Sequence, residues 1–146
     1  MNLENLREQL AIDEGIEHEI YLDHLGYPTF GIGHLIIDGD PEKGQSVGTS
    51  VSEERVKEAF EKDVQIVLGD CDICFESFDS YPEEAKQVFA NMMFNMGRTR
   101  LSKFKKLIAA AESGDWKEAG SQGRDSRWYK QVTNRAERLC SRLENI

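Results

Sequence analysis

The sequence predicts an α+β fold, in which a small antiparallel sheet precedes a group of helices. Two observations indicate this class. Segments of strand-like composition occur only between residues 17 and 37, where glycine-containing turns separate them. Most of the remaining chain repeats its apolar residues at helical spacing. Strands and helices that are segregated along a chain are typical of α+β proteins.

The first predicted helix covers residues 3–14, because its leucines share one face and Gly15 follows it as a C-cap. Three short strands are expected next, around residues 17–22, 27–31 and 33–37. A tight turn joins the first two, so together they would form a small antiparallel sheet.

A polar loop is expected over residues 38–49, followed by a connecting helix that Ser52 caps and Gly69 ends. Pro82 opens the next helix at its first turn, and Gly97 ends it. Because that helix is apolar on most sides, we expect it at the centre of a helical bundle.

The last third of the chain predicts four more helices, from apolar periodicity and from residues that cap a first turn. They are a helix from Leu101 to Ala111, a short one capped by Asp115, another capped by Ser126 and a last one that starts at Thr133.

The 146 residues suffice for a single domain with a sizeable core. We expect a sheet lobe at about residues 12–60 and a helical lobe at about 75–146 plus the N-terminal helix, with a cleft between them. No apolar run approaches the roughly 20 residues of a membrane span, and the N-terminus does not resemble a signal peptide. No membrane insertion is therefore expected.

Charge is divided unevenly along the chain, whose net charge is −9. Residues 1–97 contain 6 Lys or Arg against 21 Asp or Glu, whereas residues 98–146 contain 12 against 6. This asymmetry suggests one basic face on an acidic molecule. A solvated helix surface without a partner explains it equally well.

Three cysteines, Cys71, Cys74 and Cys140, are an odd number and provide no disulfide framework. The Cys71–Cys74 spacing allows a zinc or redox interpretation, but structural zinc requires four ligands and no second pair stands at suitable spacing. We therefore expect incidental thiols, no metal and no other cofactor. The sequence also contains no phosphate-binding loop.

Two carboxylates and a hydroxyl group are candidates for catalysis. Glu14 ends the first helix, and Asp23 and Thr29 flank the hairpin turn. The two carboxylates each have an ordinary alternative: Glu14 could be a solvated charge and Asp23 a turn residue. If the three converge on one wall of a cleft, they provide the groups that cleave a glycosidic bond.

The same stretch resembles the T-even phage lysozyme family. That family has a catalytic Glu at the end of its first helix, an Asp nine residues on, a Thr six further and then Gly-Ile-Gly-His. Here these positions are Glu14, Asp23, Thr29 and residues 31–34, without departure. Further likeness lies at residues 91–97, 126–129 and 134–136, and residues 26–29 and 114–126 also resemble the lysozyme domain of phage baseplate puncturing proteins.

The resemblance implies a lysozyme-like fold and hydrolysis of the β-1,4 bond between N-acetylmuramic acid and N-acetylglucosamine in peptidoglycan, with inversion. It makes Glu14 the general acid, oriented by Arg135. Asp23 would act as the base that activates a water, and Thr29 would position that water.

Other positions are implied by the same resemblance. His34 would pair with Asp63 and tie the sheet to the connecting helix, a structural role. Phe30, Asn91, Asn95 and Trp128 map near the cleft and are candidate substrate-binding residues. Two departures stand out: Asn95 replaces the usual Gln, and Thr133 stands where some relatives have Pro.

The resulting expectation is a monomeric phage endolysin that is made in the host cytoplasm, acts on the cell wall after release and binds no nucleic acid. One alternative is a tail-associated lysozyme used in phage entry. Another is a non-catalytic wall-binding or structural module, which the intact catalytic trio argues against.

Overall fold

The computed structural model describes all of residues 1–146 and confirms the α+β class. A three-stranded antiparallel sheet is followed by seven of the eight α-helices. In chain order the elements are α1 (Leu3–Glu14), β1 (Glu17–Leu22), β2 (Pro28–Gly31), β3 (His34–Leu35), α2 (Glu53–Cys74), a 3-10 helix (Phe78–Ser80), α3 (Glu83–Met96), α4 (Arg98–Leu101), α5 (Lys105–Glu112), α6 (Trp116–Arg124), α7 (Arg127–Gln131) and α8 (Thr133–Glu144).

The chain forms two compact units. The sheet unit consists of residues 7–66, and the helical unit of residues 1–6 and 67–146. The boundaries fall inside α1 and α2, so each of these helices contributes residues to both units. The cleft expected from the sequence stays a prediction.

The sheet has the strand order β1-β2-β3. Tyr21 pairs with Thr29 across β1 and β2, and Phe30 pairs with His34 across β2 and β3. The sheet contributes Ile20 of β1 and Phe30 of β2 to an apolar core. The core residues of this unit are Ile20, Phe30, Ile36, Val51, Val56 and Ala59.

Helix α2 is longer than expected. It continues past Gly69 to Cys74, so the prediction that Gly69 ends it is wrong. A mid-helix glycine costs about 1 kcal/mol relative to alanine. Val67 and Cys71 lie one turn apart on the same face and are both buried, as is Phe75 after the helix. Burial of these side chains outweighs the cost of placing one glycine inside the helix.

The helix predicted from Leu101 to Ala111 is also wrong, because the chain breaks between α4 and α5. Phe104 has ψ 62°, outside the helical region. On an unbroken helix Leu101 and Leu107, six residues apart, would point about 120° away from each other. Both are at most 1% exposed, so the break lets both enter the core.

The other helix starts in the C-terminal part follow the predicted capping. The Asp115 carboxylate accepts the N–H of Glu118, and the Ser126 hydroxyl accepts the N–H of Tyr129. α8 begins at Thr133 as expected. No helix of the protein has the length and apolar character needed to cross a membrane.

The helical unit contains an aromatic cluster at its centre. Phe75 and Phe89 stack with ring centroids 4.3 Å apart, and Tyr81 meets Trp116 edge-on at 4.9 Å. α6 and α8 approach closely at Gly123, where an added Cβ would lie 2.8 Å from the Cys140 sulfur. A larger residue at this glycine would therefore separate the two helices.

Candidate active site

Glu14 is the last residue of α1, and its side chain lies over the turn between β2 and β3. A Cβ built on Gly33 would lie 3.2 Å from Glu14 Oε1. Gly33 has φ +62°, a conformation that glycine adopts far more readily than other residues. Gly33, the second glycine of the Gly-Ile-Gly-His motif, thus leaves room for the Glu14 carboxylate and lies in the turn beneath it.

Asp23 holds the β1–β2 hairpin turn with one of its two oxygens. Its Oδ1 accepts the N–H groups of Leu25 and Tyr27, both at 2.9 Å. Its backbone N–H also donates to the Tyr27 carbonyl. Oδ2 makes no hydrogen bond within the chain and can accept one from outside it, so a turn role and a chemical role are compatible in this residue.

Thr29 is 4% exposed and its hydroxyl donates to the Tyr27 carbonyl oxygen at 2.9 Å. Because the hydroxyl proton is used there, Thr29 Oγ1 is available to other groups only as an acceptor. Toward a bound water it can therefore accept a hydrogen bond but cannot donate one.

Tyr21 links the two catalytic candidates and was missed by sequence reasoning. Partial burial raises the pKa of this phenol, and the nearby charges of Glu17, Glu14 and Asp23 raise it further. Glu14 and Asp23 therefore both lie within electrostatic range of the same phenol. The available signal was proximity in sequence, because Tyr21 lies near the end of β1 and Asp23 follows that strand directly.

His34 is buried between two carboxylates. Its Nδ1 lies 2.7 Å from Asp63 Oδ2, and its Nε2 lies 2.9 Å from Asp40 Oδ2. The predicted contact with Asp63 is confirmed, and the contact with Asp40 is new. Since a carboxylate only accepts hydrogen bonds, both ring nitrogens must carry protons for both bonds to form, which makes His34 an imidazolium.

The pKa values of His34 and Asp40 follow from these contacts. Burial alone would lower the pKa of His34, but its hydrogen bonds and charge interactions with Asp63 and Asp40 outweigh burial and raise it. Burial would raise the pKa of Asp40, but the Ile37 N–H, His34 and Arg55 together lower it. Each partner therefore stabilises the charged form of the other.

Arg55, at the start of α2, extends this network. Its Nε and one terminal nitrogen reach the two oxygens of Glu42 at 2.9 and 3.0 Å, and the same terminal nitrogen reaches Asp40 at 3.2 Å. The polar loop over residues 38–49 is thereby tied to α2. Sequence reasoning did not identify Asp40, Glu42 or Arg55.

Phe30, a predicted substrate-contact residue, has a side chain that is 0% exposed. The Arg55 guanidinium lies 5.5 Å from its ring centroid, and the His34 ring lies 5.0 Å from it. Phe30 thus packs beneath the charged network, and its contact with substrate stays a prediction.

In the helical unit, Asn91 and Trp128 are also buried, at 0% and 1% exposure, and their contact with substrate stays a prediction. Asn91 accepts a hydrogen bond from Arg135 Nε at 2.9 Å, and Trp128 donates to Asn95 Oδ1 at 2.8 Å. Among these candidates Asn95 alone is partly exposed in this unit. The orienting role of Arg135 toward Glu14 stays a prediction.

All three cysteines are free thiols. Cys71 and Cys74 lie in the last turn of α2 rather than in a loop. The structure contains no group of three or more His, Cys, Asp or Glu residues arranged to hold a metal ion.

Comparison with known proteins identifies the family of the chain. The phage lysozyme family matches residues 11–145. Probable T4-type lysozyme 2 of Dictyostelium discoideum is 30% identical over 96% of this chain and 94% of its own length. The chain therefore belongs to the phage lysozyme family. Membership makes it an enzyme of the glycoside hydrolase class.

Two further relatives are much longer than this chain. The pre-baseplate central spike protein of Enterobacteria phage T4 is 29% identical over 92% of this chain, which spans 27% of its length. A peptidoglycan hydrolase of Pseudomonas phage phiKMV is 30% identical over 95% of this chain, which spans 15% of its length. In both, the similar segment is a minor part of the protein.

Proposed function

We propose that the chain is a muramidase, which hydrolyses the β-1,4 bond between N-acetylmuramic acid and N-acetylglucosamine in peptidoglycan. The observation that carries the proposal is the pair of acceptors beside the hairpin turn, Asp23 Oδ2 and Thr29 Oγ1, together with the Glu14 carboxylate over Gly33. The names of two relatives, a lysozyme and a peptidoglycan hydrolase, support the substrate class.

The proposed mechanism uses two proton transfers. A water donates one hydrogen bond to Thr29 Oγ1 and the other to Asp23 Oδ2, which leaves a lone pair of the water to attack the anomeric carbon. Asp23 takes a proton from the water as the new C–O bond forms. Glu14 gives its proton to the glycosidic oxygen as the old C–O bond breaks. Attack from the face opposite the leaving group inverts the anomeric carbon.

Amide and valine variants test the assignment on purified peptidoglycan. Glu14→Gln, Asp23→Asn and Thr29→Val should each lower the rate of hydrolysis by about 10²–10⁴-fold, because each removes a proton-transfer or water-orienting group. Thr29→Ser, which keeps the hydroxyl, should retain most activity. Glu61→Gln, an exposed carboxylate on α2, is the matched control.

A folded Glu14→Gln protein with nearly wild-type activity would refute the proposal and leave a non-catalytic wall-binding module as the alternative. NMR of the first product provides a second test. The α-anomer should form first, whereas an initial β-anomer would reverse the roles assigned to Asp23 and Thr29.

Within this activity we propose that the protein is a monomeric endolysin, made in the host cytoplasm and acting on the wall after release, with Asn95 as one of its sugar contacts. The similarity to a phage spike protein supports the alternative, a tail-associated lysozyme used at entry. Mass spectrometry of purified phage particles distinguishes them. An endolysin should be absent from the particle, and its stoichiometric presence there would favour the tail role.

A further inference from the structure

The helical unit contains a cavity of about 550 Å³ that the proposed catalytic groups do not line. It lies between the segment that joins α4 to α5 and the turn that joins α6 to α7. Phe104 contributes apolar surface, the buried Trp128 lies behind it, and Asp125 is its single carboxylate. The remaining charged lining consists of five cations, Arg100, Lys103, Lys105, Lys106 and Arg127. The cavity with these five cations is called the basic pocket below.

None of the five cations has an ion-pair partner within the chain, although Arg100 donates to the Gln131 amide oxygen. This contrasts with arginines nearby in sequence, whose charges are neutralised. Arg98 pairs with Asp70, Arg124 with Glu137 and Glu144, and Arg142 with Glu84. In a protein of net charge −9, unpaired positive charges are thus concentrated around one concave surface.

The start of α5 increases the positive potential of the same cavity. Acidic side chains are favoured in a first helical turn, because the free N–H groups there carry partial positive charge. α5 has no acidic residue in that turn and no side-chain cap, and Lys105 and Lys106 occupy it instead. This arrangement is electrostatically unfavourable in the empty pocket and becomes favourable when an anion binds.

The neutral polar groups of the pocket are already used. Gln122 Nε2 donates to Glu118, and the Ser126 hydroxyl donates to the Gly123 carbonyl. Asp125 is the one carboxylate acceptor in the lining, against five cationic donor groups. This inventory favours an anion with several acceptor oxygens over a neutral sugar, whose hydroxyl groups donate as well as accept.

We propose that the basic pocket is a binding site for a phosphate group, either free or as part of a phosphodiester polymer. Two arginines and three lysines surround it, and a phosphate accepts bidentate hydrogen bonds from arginine and point-charge contacts from lysine. With five cations against Asp125, the excess positive charge suits a dianion or a chain of successive phosphates. The proposal does not depend on the proposed muramidase activity.

The test is an NMR titration of the full chain with inorganic phosphate and with succinate. Both are dianions at about pH 8, so they differ in geometry more than in charge. Phosphate should shift the amide signals of Lys105, Lys106 and Arg127 in a saturable manner and bind at least about tenfold more tightly than succinate. A third ligand, oligo(glycerol phosphate), shows whether the phosphate is recognised free or within a polymer, by its affinity per phosphate.

Matched double variants distinguish the effect of the pocket lysines on phosphate binding from the effect of the total charge. Lys103→Gln with Lys106→Gln should weaken phosphate binding by about tenfold or more, since two close charges are lost. Lys57→Gln with Lys62→Gln makes the same charge change at exposed positions on α2 and should leave binding unchanged. All four lysines are exposed, so both proteins should give a wild-type NMR spectrum outside the substituted region.

Three results would overturn the proposal: equal affinity for succinate, equal loss of binding in both double variants, or shifts that avoid the pocket. Peptidoglycan hydrolysis is measured on the same samples. An active enzyme that does not bind phosphate would refute the phosphate site alone, whereas an inactive enzyme that binds phosphate would refute the muramidase proposal alone.

Discussion

At the scale of single residues, Gly33 connects backbone conformation to the placement of a functional side chain. Its positive φ serves the turn between β2 and β3, and its missing side chain leaves the space that Glu14 Oε1 occupies. A substitution here therefore has two separable effects, one on backbone strain and one on the position of Glu14.

Gly33→Ala should lower both stability and activity. The left-handed backbone costs a non-glycine residue about 1–2 kcal/mol. The new Cβ would lie 3.2 Å from Glu14 Oε1, so the carboxylate must shift by a few tenths of an ångström. Gly39→Ala is the matched control, since Gly39 has φ +95° but no atom within 4 Å of an added Cβ. Thermal unfolding and hydrolysis assays should show both variants destabilised, but only Gly33→Ala inactivated. Equal activity of the two would mean that Glu14 has another acceptable position.

At the scale of elements, the His34 network joins β3, the polar loop and α2 through charged hydrogen bonds. The energetic consequence is a dependence of unfolding on pH. His34 has a raised pKa in the folded protein, so its contribution is complete below its unfolded pKa of about 6.5 and is lost as pH rises through the folded value. Asp40 has a lowered pKa, so its contribution is present above about 3.9 and is lost as pH falls through the folded value.

The free energy of unfolding should therefore be highest between about pH 4 and pH 6.5. Asp63→Asn should flatten the decline above pH 6.5, because the His34 pKa then rises less on folding. Asp38→Asn, in the polar loop that also holds Asp40 but with an exposed side chain, should leave the profile unchanged. Urea unfolding across this pH range measures both. If Asp63→Asn and Asp38→Asn give the same profile, the pair does not contribute to stability.

The same elements show how far sequence reasoning extends. Caps at Ser52, Asp115 and Ser126 were predictable, because each bonds a backbone group three residues away. The continuation of α2 past Gly69 was not, because burial of the residues that follow decides it. The break at Phe104 was not predicted either, because the apolar residues before and after it fit a single helical repeat.

The candidate site was predictable to the extent that its motif is local. Glu14, Asp23 and Thr29 lie within one short stretch of sequence, and the resemblance supplied their roles. The Asp40–Arg55 contact joins a loop to a helix 15 residues later, and no sequence period specifies such a pair. The burial of Phe30 and Trp128 could not be predicted from the sequence, because an aromatic residue near a motif can either face a ligand or support the site from below.

At the scale of the whole molecule, charge distribution should control how the enzyme meets its substrate. A protein of net charge −9 is repelled at long range by a polyanionic wall, and attraction must come from unpaired cations at distances near the Debye length of about 8–10 Å. Activity on cell walls should therefore rise with salt at first and fall at higher salt, giving an optimum at moderate ionic strength.

Charge reversal provides the check on that prediction. Lys103→Glu with Lys106→Glu should weaken binding to wall fragments while turnover of a small neutral chitin-like substrate stays nearly unchanged. Lys57→Glu with Lys62→Glu gives the same net charge and should weaken wall binding much less. If both variants respond alike at low and moderate salt, the basic residues merely balance the acidic part of the chain.

The buried cysteines can report local opening of the protein, because a buried thiol reacts with a reagent only after the structure around it opens. Burial raises the pKa of Cys71 and raises that of Cys140 to about 12, so neither thiol forms a reactive thiolate in the closed protein. Cys74 is half-buried and should react first with a thiol reagent. Mass spectrometry should show one rapid modification followed by two slow ones, whose rates report the local opening of α2 and α8 separately. Equal labelling rates for Cys71 and Cys140 would mean that the helical unit opens as a whole.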